Sequence, residues 1–135
     1  MVKAETQNRR LLIWGLATIF ALMILCGSAI IVSWQWNRTM AQFPGSEPVA
    51  NHSKYNLPKL YRWDDTYAMQ ASIDQVYAWY SITFALGPER QANGSCSLLE
   101  DVKSNVLAER YFGVLICETG DERMMFVTRA TKFFP

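Results

Sequence analysis

Cysteine and histidine, which commonly act as nucleophiles, bases or metal ligands, are scarce in this 135-residue chain. The chain contains three cysteines, Cys26, Cys96 and Cys117, and a single histidine, His52. No two cysteines form a CxxC or CxxCH motif, which argues against a redox dithiol, a haem attachment site and a zinc site built on paired cysteines. Because His52 lies in a polar stretch, no Ser-His-Asp triad is assembled either. We therefore predict a protein that is not an enzyme and that uses no cofactor or metal.

Two pairs of adjacent carboxylates, Asp64-Asp65 and Glu100-Asp101, are the remaining candidates for acid–base chemistry. A glycosidase-type pair needs a cleft and a defined separation, whereas neighbouring residues on a strand point to opposite faces. Solvated strand ends or loops are therefore the favoured interpretation of both pairs.

Cys96 and Cys117 are more informative as a pair, because they lie 21 positions apart on two predicted strands. A register that places them opposite each other also aligns Leu98 with Leu115, so this pairing agrees with the apolar pattern. We predict a disulfide between them, which an oxidising compartment outside the cytoplasm would maintain. Two buried free thiols are the alternative. Cys26 lies in an apolar run, where a cysteine acts as a small hydrophobic residue.

The run over residues 11–33 contains 23 residues without a charge. A helix of this length covers about 35 Å, which is enough to cross a hydrocarbon core of about 30 Å. We predict a tail over residues 1–10 and one transmembrane helix over residues 11–36. A cleaved signal peptide is the alternative, but the run continues to Trp34 and Trp36, which favours a retained anchor with aromatic residues at the interface.

The basic residues near the span predict its orientation. Lys3, Arg9 and Arg10 precede the span, and Arg38 is the one basic residue within about 15 positions after it. The positive-inside rule therefore places the N-terminus in the cytoplasm and the C-terminal domain outside, in the periplasm or the extracellular space. The net charge of +1, without a dense basic cluster, argues against nucleic acid as a partner.

Residues 37–58 contain three prolines and Gly45, and they predict an extended tether that runs along a neighbouring surface or acts as a plain spacer. Residues 59–135 form the exposed domain. In it, residues 66–70 predict a strand. Ser72 with Gln75 forms a capping box that begins a helix, and Gly87-Pro88 ends this helix.

Three further strands are predicted, over residues 95–101, 109–118 and 122–133. The loop Gly120-Asp121 suits a type II′ hairpin, because glycine tolerates a positive φ at the first central position. This register places Glu118 opposite Arg123, a pair of opposite charges, and Leu115 opposite Phe126. The order β-α-β-β-β predicts an α+β domain in which one helix packs on an antiparallel sheet.

The predicted helix carries apolar residues outside its core face. Trp79, Ile82 and Leu86 lie on another side, and a helix of this kind usually has a second partner. We predict that these residues contact membrane lipid or other subunits of a membrane protein complex. The small residues Ala17 and Ala21 form a possible helix–helix face in the span. The alternative is that Trp79, Ile82 and Leu86 are the edge of a broad core face.

In layout the chain resembles the small subunits of bacterial energy-converting membrane complexes, in particular the single-span subunit of alternative complex III, a quinol-oxidising complex. The shared features are a short basic tail, one span, a proline-containing tether and a small extracytoplasmic domain, with no common residue motif. The resemblance implies a non-catalytic accessory subunit that stabilises a larger membrane complex, such as a respiratory or photosynthetic electron-transfer complex. The alternative is a free-standing anchored domain that binds a ligand or partner outside the cytoplasm.

Overall fold

A computed structural model describes residues 2–56, 59–120 and 122–134, and the chain divides into two compact units, Met1–Gln42 and Phe43–Pro135. The first unit contains helix α1, Val2–Met40. The stretch Arg9–Met40 is long and apolar enough to cross a membrane, which is consistent with a single-pass membrane protein. The helix continues four residues beyond the predicted end at residue 36.

Two hydroxyl groups in the apolar part of α1 are satisfied by the helix itself. Thr18 and Ser28 each donate a hydrogen bond to a backbone carbonyl of the preceding turn, at 2.8 and 2.9 Å. Such bonds reduce the cost of placing a hydroxyl in lipid. Ala17 and Ala21 are exposed on the helix, where small side chains leave room for a second helix to approach.

The second unit is an α+β domain with one helix and one antiparallel sheet, so the predicted fold class is confirmed. Six strands pair in the order β1-β2-β6-β5-β4-β3. The elements are β1 Glu47–Asn56, β2 Leu60–Met69, α2 Ile73–Phe84, β3 Arg90–Gln91, β4 Cys96–Ser104, β5 Ala108–Thr119 and β6 Glu122–Phe133.

The prediction of a tether without regular structure over residues 37–58 is wrong for most of that segment. α1 extends into its beginning, and β1 pairs with β2 along the edge of the sheet. The prolines that suggested a tether are compatible with an edge: Pro48 lies at a register shift between Pro48 and Ala50, and edge strands tolerate the missing N–H. Pro58 lies outside the described residues.

The helix α2 begins as predicted. Ser72 Oγ accepts a hydrogen bond from the Gln75 backbone N–H at 3.3 Å, and the Gln75 side chain accepts one from the Ser72 N–H at 3.1 Å. The helix ends at Phe84, three residues before Gly87, because Ala85 adopts a left-handed conformation with φ 52°. A left-handed residue terminates the helix at that point without a glycine.

The core lies between α2 and one face of the sheet. Val76 and Tyr80 of α2 are fully buried, together with Leu99, Val114, Ile116, Met125 and Val127 from the strands. Burial raises the pKa of Tyr80. At the edge of this core the guanidinium of Arg129 lies 4.1 Å from the ring centroid of Phe112 and 5.4 Å from that of Phe84, a cation–π arrangement. Burial lowers the pKa of Arg129.

The predicted registers of the three-stranded meander are confirmed. Cys96 pairs with Cys117, Leu115 pairs with both Leu98 and Phe126, and Glu118 pairs with Arg123 at a 3.1 Å ion pair. Gly120 has the positive φ of 63° that the hairpin requires, whereas Asp121 lies outside the described residues. The predicted disulfide between Cys96 and Cys117 is present.

Candidate functional site

The face of the sheet opposite α2 forms the candidate site, and we call it the open face. Alternate residues of each strand point to opposite faces, so the sequence neighbours of buried Leu99, Val114 and Val127 lie on the open face. The helix α2 covers only the other face, as its contact between Tyr80 and Phe112 shows. The open face therefore consists of side chains that α2 does not cover.

An apolar strip crosses the open face. Leu98, Leu115 and Phe126 stand side by side on β4, β5 and β6, and Phe126 is 39% exposed. The Cys96–Cys117 disulfide and Met124 form the adjacent row. We define these six residues as the apolar strip. The solvent-facing side of an antiparallel sheet is normally polar, so this strip, whose members other than Phe126 are half-buried, is a candidate contact surface.

A polar row crosses the open face beside the apolar strip. We define it as Asp64, Thr128, Tyr111 and Glu100, with Arg62 and Arg90 at its ends. Arg62 donates to both carboxylate oxygens of Asp64, with a closest distance of 2.8 Å. Thr128 Oγ1 donates to Asp64 Oδ1 at 2.6 Å. At the other end, Tyr111 OH lies 3.5 Å from Glu100 Oε2, and Arg90 Nη1 lies 3.0 Å from Glu100 Oε1.

These contacts shift the pKa values of the row. Partial burial alone would raise the pKa of Asp64, but hydrogen bonds from Arg62 and Thr128 outweigh it, and the pKa is lowered. The hydrogen bond to Asp64 raises the pKa of Arg62. Burial, followed by the charge of Glu100, raises the pKa of Tyr111. The row therefore holds the charged Arg62–Asp64 pair and a neutral Tyr111 phenol at neutral pH.

His52 is the titratable group nearest in register to this row. It is exposed on β1 and pairs with Asp64 across the strands. His52 is exposed and Asp64 is half-buried. The hydroxyl beside them, that of Thr128, donates its hydrogen bond to the Asp64 carboxylate at 2.6 Å. Asp65, the sequence neighbour of Asp64, is buried on the opposite face, so the adjacent carboxylates point apart as expected for a strand.

The helix residues predicted to bind a partner do not form one exposed face. Leu86 is buried, at 6% exposure, so its assignment to a partner surface is wrong. Trp79 packs within the domain, 4.6 to 5.6 Å from the ring centroids of Phe43, Tyr80 and Phe84. Ile82 alone is largely exposed, at 84%. A broad core face, the alternative interpretation of this helix, accounts for Leu86 and most of Trp79.

A shallow cleft of about 490 Å³ lies beside the disulfide, lined by residues that include Ile73, Glu89, Ser97 and Glu118. Its walls are mainly polar. Among residues 2–56, 59–120 and 122–134, no three His, Cys, Asp or Glu residues are placed to share a metal ion. We therefore take the open face, with its apolar strip and its hydrogen-bonded polar row, as the candidate site of the described domain.

The sequence predicted the strand register of the apolar strip but did not identify this face as a binding surface. The alignment of Leu98 with Leu115, and of Leu115 with Phe126, is visible in the sequence once the hairpin is placed. The alternation that puts Leu99 and Val114 on the other face is visible too, but both sets are apolar. The sequence therefore does not say which of the two faces the single helix covers.

The chain matches no known family model and no curated protein. Among solved structures it is similar to CalU16 from Micromonospora echinospora, with 14% sequence identity. The match covers 64% of this chain and 71% of that chain, with a TM-score of 0.37. A likeness at this level carries no inference about function.

Proposed function

We propose that this chain is a non-catalytic accessory subunit, anchored by one span, that binds another protein of a membrane complex through the open face of its sheet. The observation that carries the proposal is the apolar strip, because its large side chains remain uncovered by the domain's own helix. Because the chain is anchored by its span, its partner is expected in or beside the same membrane.

The size of the open face suits a protein partner. Strands lie about 4.8 Å apart and advance about 3.3 Å per residue, so five strands of about ten residues make a face on the order of 600 Å². This approaches the roughly 800 Å² that each partner contributes to a standard protein interface. A small ligand would instead require a concave, enclosed pocket.

The polar row is suited to being covered by a partner. The carboxylate of Asp64 is neutralised by Arg62 and receives a further hydrogen bond from Thr128, and Glu100 is paired with Arg90. A charge that keeps its partner and hydrogen bonds when water is removed costs far less to bury than an isolated one. An apolar centre beside satisfied polar groups is the usual composition of a protein interface.

We further propose that the domain lies outside the cytoplasm. The positive-inside rule favours this orientation, and a disulfide between Cys96 and Cys117 persists most readily in an oxidising compartment. The layout of the chain makes an electron-transfer complex of a respiratory or photosynthetic membrane the first assembly to test.

The test is co-purification of the tagged full chain from its native membranes in mild detergent, analysed by native electrophoresis and mass spectrometry. We expect the chain to migrate at constant stoichiometry with the same membrane protein. Leu115→Gln and Phe126→Gln should each reduce this association. Ile82→Gln is the matched control, because Ile82 is an exposed aliphatic residue outside the open face.

Two results contradict the proposal. A wild-type chain that migrates alone under conditions that preserve other membrane complexes would favour a free-standing anchored domain. A chain released by Ile82→Gln but retained by both strip variants would move the interface to α2. Each variant is checked for an intact Cys96–Cys117 disulfide and a native near-ultraviolet circular dichroism spectrum, which separates lost binding from lost folding.

A further inference from the structure

One end of the sheet brings together three separate segments. The turn between β4 and β5, the end of β6 and Lys59, which directly precedes β2, lie at this end, where the backbone N–H of Phe133 donates to the Lys59 carbonyl at 2.9 Å. The N–H of Phe134 donates to the Leu107 carbonyl at 3.0 Å. This end is remote from Glu47, where β1 begins opposite Ala68 near the end of β2. We call it the tip.

The tip presents large apolar side chains to solvent. Val106 is 93% exposed and Leu107 is 75% exposed, while Phe133 and Phe134 are 42% and 41% exposed. Tyr55, at the end of β1, is exposed and stacked on Tyr61. Exposure of this extent at adjacent positions is unusual on the surface of a soluble domain and marks a contact site.

The turn that carries the two aliphatic residues is held in one conformation. The side-chain oxygen of Asn105 accepts hydrogen bonds from the N–H groups of Leu107 and Ala108 at 3.0 and 2.8 Å. The Asn105 N–H donates to the Ala108 carbonyl at 2.9 Å. The turn therefore directs Val106 and Leu107 outward without depending on contacts to the core.

Basic residues surround this apolar tip. Five exposed cations lie on the strands and loops next to it: Lys54, Lys59, Lys103, Arg110 and Lys132. Two carboxylates accompany them, Asp101 at 3.0 Å from Lys103 and Glu109 opposite Lys132. Cations thus exceed carboxylates by three at the tip.

The opposite end of the sheet has the reverse charge. Its exposed carboxylates are Glu47, Asp74, Glu89, Glu118 and Glu122, and its basic residues are Arg90 and Arg123. The two ends therefore differ in the sign of their charge as well as in their apolar exposure, and the excess of positive charge coincides with the exposed aliphatic turn.

We propose that the tip binds the anionic lipid surface of the membrane that anchors the chain. Val106 and Leu107 enter the boundary between headgroups and acyl chains, and the surrounding lysines and Arg110 contact the anionic headgroups. Apolar side chains that insert and basic side chains that attract anionic lipid are the two components of interfacial membrane binding. Aromatic residues such as Phe133 and Phe134 favour the same interfacial depth.

The anchoring membrane is the occupant that the observations favour. A chain held by its own span stays beside that membrane, so an anionic lipid surface of that membrane is a partner that the domain meets wherever the chain is anchored. The net positive charge is complementary to an anionic surface. This inference concerns a surface separate from the apolar strip, and it stands whether or not the open face binds a protein.

The experiment uses the full chain with Cys26→Ala, which removes the free thiol and leaves the disulfide intact. Leu107→Cys carries an environment-sensitive fluorophore at the tip, and Ile82→Cys carries the same fluorophore at an exposed position on α2. Each protein is reconstituted in phosphatidylcholine vesicles with or without phosphatidylglycerol, and quenching by lipids with a nitroxide on the acyl chain is measured.

We expect nitroxide lipid to quench the label at position 107 several-fold more than the label at 82, and only when phosphatidylglycerol is present. The combined change Lys59→Gln, Lys103→Gln and Lys132→Gln should remove this difference. Lys103→Gln alone should reduce it, whereas Arg90→Gln should not. These last two are a matched pair, because each cation is about 70% exposed and forms a 3.0 Å ion pair.

Three results overturn the inference. The first is equal quenching of the label at position 107 in neutral and anionic vesicles. The second is quenching of this label that is no stronger than quenching of the label at position 82. The third is quenching that occurs only when the nitroxide lipid is in separate, protein-free vesicles. That result would mean that the tip binds a second membrane and not the one that anchors the chain. Retention of the disulfide and of the circular dichroism spectrum in every variant confirms that folding is unchanged.

Discussion

The hydroxyl of Tyr111 lies over Gly113, in the space that a side chain at position 113 would occupy. Both residues lie at open-face positions of β5. Gly113 pairs with Glu100 on β4 and with Thr128 on β6. The missing side chain lets a phenol from two residues away reach the middle of the polar row. The φ of Gly113 is not positive, so its backbone conformation does not require glycine. The residue is needed here because a Cβ would overlap the Tyr111 phenol.

Gly113→Ala should destabilise the domain and displace Tyr111 from Glu100. The added Cβ would overlap the phenol, whose ring carbon Cζ lies 2.7 Å from it, and forced overpacking costs about 1–3 kcal/mol. The free energy of unfolding of the full chain in detergent measures the effect. Tyr111→Ala should relieve it in the double variant. If Gly113→Ala lowers the free energy of unfolding equally in the wild-type and the Tyr111→Ala backgrounds, the clash with Tyr111 is not the cause.

Asp64 should contribute stability that disappears in acid. Its pKa is lowered in the folded chain, so its contribution is complete above the ordinary aspartate pKa of about 3.9 and is lost as the pH falls through the folded value. The difference in unfolding free energy between wild type and Asp64→Asn should therefore shrink below about pH 4. Thr128→Val should weaken this pH dependence. A difference that stays constant from neutral to acidic pH would contradict the assignment.

Two serines of the α2 region should respond to alanine with opposite signs. Ser72→Ala removes the capping hydrogen bond to Gln75 and should cost about 1 kcal/mol. Ser81 Oγ is buried without a hydrogen-bond partner, so Ser81→Ala should be neutral or stabilising because it removes an unsatisfied hydroxyl. Thermal and chemical unfolding of both variants test this contrast. A destabilising Ser81→Ala would indicate a bound water at that hydroxyl.

The disulfide should contribute substantially to stability. It closes a loop with a sequence separation of 21, and loop entropy predicts about 3 kcal/mol for such a closure. Cys96→Ser with Cys117→Ser should lower the free energy of unfolding by about this amount. Alkylation of the denatured, unreduced wild-type chain should modify Cys26 alone, as intact mass spectrometry would show. Modification of three cysteines would rule the disulfide out in the cell.

The C-terminal domain should be reached from outside the cell. A membrane-impermeant label applied to intact cells should modify a tag placed after Pro135 and leave a tag before Met1 untouched, because Lys3, Arg9 and Arg10 favour a cytoplasmic N-terminus. Permeabilised cells, in which both tags are labelled, are the control. Labelling of the N-terminal tag alone in intact cells would reverse the orientation.

Several features of this protein follow from the sequence because their causes are local or depend only on strand register. A charge-free run of sufficient length predicts the apolar helix whatever the rest of the chain does. The capping box at Ser72 depends on residues three positions apart. The pairing of Cys96 with Cys117 follows from placing two strands so that apolar residues face each other, since a shift by one residue would reverse the faces.

The edge strand β1 was decided by the tertiary structure. Its side chains are nearly all exposed on both faces, so it has no period-two alternation of apolar and polar residues for a sequence to reveal. Its order comes from backbone hydrogen bonds to β2, and apart from proline every residue type offers the same backbone donor and acceptor. The burial of Leu86 likewise depends on where the chain turns after α2.

The assignment of the two sheet faces was also beyond the sequence. Leu98 and Leu99, or Val114 and Leu115, are adjacent apolar residues on opposite faces, and either member suits a core. One helix covers only one face, and its side is set by packing over the whole domain, with Tyr80 against Phe112. Composition along the chain fixes which residues are able to be buried, and only the three-dimensional arrangement decides which of them remain exposed.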